Sequence, residues 1–141
     1  GLPIDIRNFF INPDVYELKS LNLNSVYEIT NYVRSNIVTK LDDGEFWQFP
    51  FETLALKTGD CDDIAILTAN LLRTMGYKDY EVRLNAGMTE YGSHLWVSIN
   101  DKKGEWRIVD PFLQFTTCEK WFSWTANQTF STKENIQKWK K

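Results

Sequence analysis

The chain has 141 residues, 43% of them hydrophobic and 15% aromatic, with a formal net charge of −3 at pH 7. That length suits one domain with one sizeable core, and the apolar content excludes a disordered chain. No basic stripe marks a nucleic-acid partner, and no apolar run approaches the roughly 18 to 20 residues of a membrane span.

Residues 1–20 mix apolar and turn residues without sustained periodicity, and read as an extended arm or a short helix packed on the body. From Ser25 to about Ile37, Val26, Ile29, Tyr32, Val33 and Ile37 recur at helical spacing, with Asn24 or Ser25 as the cap. Leu41-Asp-Asp-Gly-Glu is a turn, and Phe46-Trp-Gln-Phe-Pro-Phe is a dense aromatic patch. Pro50 suits the first turn of a short helix that Thr58-Gly59 ends.

A longer helix follows Gly59. Ile64, Leu67, Thr68, Leu71, Leu72 and Met75 form one apolar face, and Gly76 stops it. Asp60 is its N-cap, and Asp63, three positions on, acts as the second half of a capping box. The period then changes from 3.6 to 2. Tyr80, Val82 and Leu84 alternate with polar residues in one strand, and Ser93 to Asn100 forms a second, with His94, Trp96 and Ser98 on one face. Asp101-Lys-Lys-Gly-Glu is a hairpin loop, and Trp106-Arg-Ile-Val-Asp returns until Pro111. Phe112 to Lys141 shows no clean strand pattern, and a terminal helix is expected over 132–140, capped by Ser131 or Thr132. There are no internal repeats or low-complexity tracts. Helices first and a strand meander after them indicate an α+β fold with an antiparallel sheet.

Chemistry enters with Cys61, at about the first position of the longer helix. Unpaired N–H groups and the positive end of the helix dipole favour a thiolate there. Asp60, Asp62 and Asp63 oppose it unless they point away or are paired, so the site needs a cationic partner. His94 is the only histidine in the chain. If Lys102-Lys103-Gly104 makes a three-residue hairpin loop, Asp101 closes on Glu105, and counting outward sets Asp110 opposite Trp96, on the face of His94 and diagonal to it. A loop of even length would put them on opposite faces. Thiol, imidazole and carboxylate then form a nucleophile, base and orienter. The backbone N–H of Cys61 is one oxyanion donor, and Gln48 or the indole of Trp47 are candidates for a second.

Trp47-Gln-Phe-Pro-Phe-Glu-Thr-Leu, Thr58-Gly-Asp-Cys-Asp-Asp-Ile-Ala-Ile-Leu, Ser93-His-Leu-Trp-Val and Ile108-Val-Asp-Pro, in that order, resemble the transglutaminase-like superfamily of papain-like cysteine enzymes. The motifs look most like prokaryotic and viral members, among them the bacterial transglutaminase-like cysteine proteinases. The resemblance covers about residues 25–115 of a single 1–141 domain, with 1–20 as an N-terminal arm and 116–141 as a C-terminal extension. It implies a papain-like core with the nucleophile helix on an antiparallel sheet, a catalytic triad of Cys61, His94 and Asp110, and thioester chemistry on an amide or peptide bond of a protein or peptide. Water or an amine resolves such a thioester, so hydrolysis and glutamine acyl transfer are both open, as is a degenerate peptide-binding module. Some relatives hold calcium beside the nucleophile, which makes Asp60 and Asp62 candidate ligands, although helix capping explains Asp60 more simply. Asp62 stands where the family often has Glu, and the short chain leaves the substrate cleft undefined.

The expected core takes most of the aromatic residues Phe46, Trp47, Phe49, Phe51, Trp96, Trp106, Trp121, Phe122 and Trp124, with Trp96, Trp47 and Asp60 also expected at the cleft. Cys61 is expected free and Cys118 inert and partly buried. No signal peptide is visible and the thiol must stay free, which favours the cytoplasm; a removed leader stays open because the chain begins at Gly1.

Overall fold

The computed structural model describes residues 5–40, 47–100, 105–112, 118–131 and 139–140. The turn at Leu41 to Glu45, Phe46 and the hairpin residues 101–104 lie outside them. Helix α1 (Tyr16–Lys19) follows a short 3-10 turn, Ile6–Phe9, that Asp5 caps. Helix α2 (Val26–Asn36) begins at Ser25, whose Oγ accepts from the N–H of Glu28, and buries Ile29 and Val33. Strand β1 (Val38–Thr39) leads to α3 (Pro50–Leu56), which ends with Lys57 in the left-handed region at φ 59°. Strand β2 (Thr58–Gly59) pairs in parallel with β1, an element the sequence does not announce.

Helix α4 (Cys61–Met75) is the centre of the molecule, and every residue from Asp63 to Arg73 is buried. The sequence suggests one apolar face. The structure covers both sides, because α2 and α3 pack on one and strands β3 (Val82–Thr89) and β4 (Gly92–Asn100) on the other. Strand β3 starts later than its alternation suggests: Asp79–Glu81 is a 3-10 turn, and Tyr80 is exposed. Strand β5 (Trp106–Val109) returns antiparallel to β4, with Asn100 opposite Trp106 and Val97 opposite Val109.

Residues 118–131 correct the reading of the C-terminal part. They form β6 (Cys118–Trp124) and β7 (Thr129–Ser131), with β6 paired to β3 through a register shift at Ala86/Gly87. That irregularity and the mixed aromatic and polar composition hide the strand period. Strand β8 (Trp139–Lys140) pairs in parallel with β5 where a helix is expected; the rest of that expected helix, 132–138, lies outside the described residues. The sheet runs β7-β6-β3-β4-β5-β8, antiparallel except at β8. The fold is therefore α+β, with the helix that carries Cys61 packed on a mainly antiparallel sheet.

The core draws on the N-terminal segment as well: Ile6, Phe9 and Leu18 are buried with the residues of α2, α4, β3 and β4. Of the aromatic residues expected inside, only Trp96 is fully buried among those described; Phe51 and Phe122 are exposed. Phe9 stacks on Phe49 at 4.4 Å and meets Trp47 edge-on at 5.5 Å, so several rings pack on one another at the margin of the core. Among the described residues no helix is long and apolar enough to cross a membrane.

Candidate active site

Asp60 Oδ1 accepts the N–H groups of Asp62 and Asp63, both at 3.0 Å, and Asp63 Oδ2 accepts the N–H of Asp60 at 3.0 Å. This capping box fixes Cys61 as the first residue of α4. Asp63 also receives the N–H of Gln48 at 2.8 Å, which ties the chain before α3 to the start of α4. Burial pushes both capping carboxyls up, Asp60 to about 7.

His94 and Asp110 come together as the hairpin count requires. The β4–β5 register extends by one pair to set Asp110 opposite Trp96, and His94 Nε2 lies 2.6 Å from Asp110 Oδ2. Both side chains are 8% exposed. Asp110 Oδ1 accepts the N–H of Phe112 at 3.1 Å, so the carboxylate is held from two sides. With Nε2 engaged, Nδ1 is the other ring nitrogen. The ring also lies face to face with Trp96, at 6.0 Å between centroids.

Cys61, His94 and Asp110 all line one cavity of about 460 Å³. A smaller lobe shares Cys61, Ser93, His94 and Leu95 with it and is closed by Ile6, Trp47, Ala86, Gly87 and Trp124. Cys61 thus sits where two lobes meet. The main chain at Leu95 favours the ionised sulfur, an influence without a signal in the sequence. The Cys61 S–H points to Asp62 Oδ1 at 3.6 Å, and the indole N–H of Trp47 donates to Asp62 Oδ2 at 3.2 Å.

The thiol differs from its sequence expectation. Cys61 as a residue is exposed, and it lines both lobes. Burial first, then the Asp62 charge, push the thiol up to about 12, and the Leu95 main chain only partly opposes them. The helix terminus does not produce a resting thiolate here. Cys118 forms no disulfide and is half-buried.

Other expected site residues divide. Trp47 borders the smaller lobe, with its indole N–H engaged by Asp62. Gln48 lines neither lobe: its side-chain oxygen accepts from Thr53 Oγ1 at 2.8 Å and its main-chain N–H is taken by Asp63. Trp96 lines the larger lobe, 1% exposed and packed against the His94 ring. Asp60 lines that lobe while capping α4. Thr39, Lys40, Tyr91 and Phe112, which sequence reasoning missed, also line it.

Asp60 and Asp62, the candidate calcium ligands, both have other partners in this structure. One is turned into the backbone cap and the other faces a thiol and an indole N–H, and among the described residues no three His, Cys, Asp or Glu side chains gather as cation ligands.

A sequence model of the transglutaminase-like superfamily matches residues 12–111. A search of curated proteins finds no match. Among solved structures, LapG of Legionella pneumophila is 19% identical with a TM-score of 0.66, covering 84% of this chain and 76% of LapG. Calcium-bound LapG gives 18% identity and 0.67 over 86% of this chain and 77% of that one. A protein of Cytophaga hutchinsonii, solved as a candidate cysteine protease, gives 20% and 0.58, covering 78% of this chain and 43% of its own. At these identities the likeness is one of fold.

Proposed function

The chain belongs to the transglutaminase-like superfamily, and on that premise we propose a cysteine-dependent hydrolase of amide or peptide bonds, acting on a protein or peptide. The observation that carries this reading is the His94–Asp110 pair, 2.6 Å apart and lining the same cavity as a cysteine at a helix N-terminus.

Because burial and Asp62 keep Cys61 a thiol at neutral pH, the nucleophile forms in the step that uses it. His94, held through Nε2, takes the thiol proton on Nδ1 as sulfur attacks the carbonyl carbon. Asp110 balances the charge that builds on the ring. The developing oxyanion meets the N–H of Cys61 at the helix terminus, and the Trp47 indole, which borders the smaller lobe with Cys61, is a second donor once released from Asp62. The C–N bond breaks as His94 returns the proton to the leaving amine. Water, deprotonated by His94, then attacks the thioester and restores the thiol. No step runs through calcium.

The test is digestion of an unstructured protein and of a mixed peptide pool, with new N-termini read by mass spectrometry. Cleavage by the parent should fall by at least about 1,000-fold in Cys61→Ala, with the circular dichroism spectrum unchanged. Cleavage that survives the substitution would rule the reading out. A labelled amine in the same reaction separates the two fates of the thioester: hydrolysis leaves it free, and acyl transfer attaches it to protein.

A further inference from the structure

The larger lobe extends beyond the reacting groups, between the first turns of α4 and strands β4 and β5. Its wall is built from Ile64, Ala65, Leu95, Val97 and Val109, each 1 to 6% exposed. Its ionisable groups are Asp60, Cys61, His94 and Asp110 at the reacting centre, together with Lys40 and Tyr91, both exposed. Apart from the hydroxyls of Thr39 and Ser93 and the indole of Trp96, the rest of the wall is hydrocarbon. Against that apolar part, away from Lys40 and the reacting groups, a charged side chain would lose hydration without gaining a partner, and a glycine or alanine would leave it unfilled.

The backbone of β1 lies beside this lobe. The N–H groups of Val38 and Lys40 bond to the carbonyls of Lys57, just before β2, and of Gly59 in β2, so strand alternation turns the N–H and C=O of Thr39 away from β2, and Thr39 lines the lobe. An extended polypeptide can pair there while one of its side chains enters the cavity. A volume of about 460 Å³ takes a large side chain with its flanking backbone.

We propose that this lobe is the specificity pocket of the site, taking a large aliphatic or aromatic side chain from a residue that flanks the attacked carbonyl. This rests on the hydrolase reading for its substrate class, so its test is made independent of turnover. Cys61→Ala protein, which neither cleaves nor transfers, is titrated calorimetrically with capped hexapeptide pools in which one position at a time is fixed as Phe, Leu, Ala, Asp or Lys. At one position the Phe and Leu pools should bind about 10- to 100-fold more tightly than the Ala, Asp and Lys pools. Ala65→Leu in the same background, which fills the pocket, should remove that preference. If Ala65→Leu fails to fold by circular dichroism, Val109→Phe is the second filling variant. Pools that bind alike, or do not bind, overturn the proposal, and so does a preference that survives a folded filling variant. Binding with the expected preference alongside failed hydrolysis by the parent would overturn the catalytic reading alone.

Discussion

Asp62 follows the nucleophile in sequence and works against it. Asp60 and Asp63 are directed into the cap, as their spacing predicts, but Asp62 stays beside the sulfur because the Trp47 indole holds its other oxygen. Three carboxylates around Cys61 were legible in the sequence. Which one faces the thiol was not, because that depends on a tryptophan fourteen positions upstream of the cysteine. A like charge raises the energy of the thiolate, so removing it must lower the pH at which the thiol ionises. Asp62→Asn keeps an acceptor for the indole and removes the charge. We expect its iodoacetamide reaction at Cys61 near pH 8 to run about tenfold faster than in the parent, resolved from Cys118 by peptide mass spectrometry. An unchanged profile would mean that burial alone sets the thiol.

Between elements, register decides which side chains meet. The register in which Asn100 faces Trp106 and Val97 faces Val109 sets Asp110 on the face of His94, and this was legible because the alternation of β4 and β5 leaves few ways to pair them. Pairing of β1 with β2 was not: two residues carry no period, and they are brought together by α2 and α3 rather than by their own sequence. The same junction explains Gly59. A Cβ there would stand 2.7 Å from the Cβ of Asp63, which is 1% exposed and bound to the N–H groups of Gln48 and Asp60. Neither atom can swing aside without breaking the cap. Gly59→Ala should lower unfolding stability by about 1 to 3 kcal/mol in urea and slow Cys61 alkylation, as the cap that places the thiol shifts. An alanine that leaves the urea midpoint unmoved would show that the start of α4 yields easily.

At the scale of the whole molecule, the N-terminal segment is a wall of the site and depends on α4 for its hydrogen bonds. Composition alone left it as an extended arm or a short helix packed on the body, and α1, with Leu18 buried, is that short helix. The segment's irregular backbone cannot satisfy itself, so Asn70, fully buried, accepts the N–H of Ile11 at 2.9 Å and donates to the carbonyl of Phe9 at 2.9 Å. Arg73 adds a bond to the carbonyl of Ile11 at 2.6 Å, and Thr74 one to Pro13 at 2.8 Å. A polar Asn in an apolar helix was visible in the sequence, but its partners lie some sixty residues away and no local pattern names them. Ile6, carried by this segment, closes the smaller lobe beside Trp47. Asn70→Ala leaves a donor and an acceptor buried without partners, a loss of about 2 to 4 kcal/mol. The deficit falls on the segment before it reaches the sheet, whose ladders are untouched. Hydrogen exchange should therefore show the Ile11 amide losing protection, and limited proteolysis should cut within residues 5–15, while amides of β3 and β4 keep their protection. Loss of protection that is uniform across the sheet would mean that the segment and the sheet unfold as one unit.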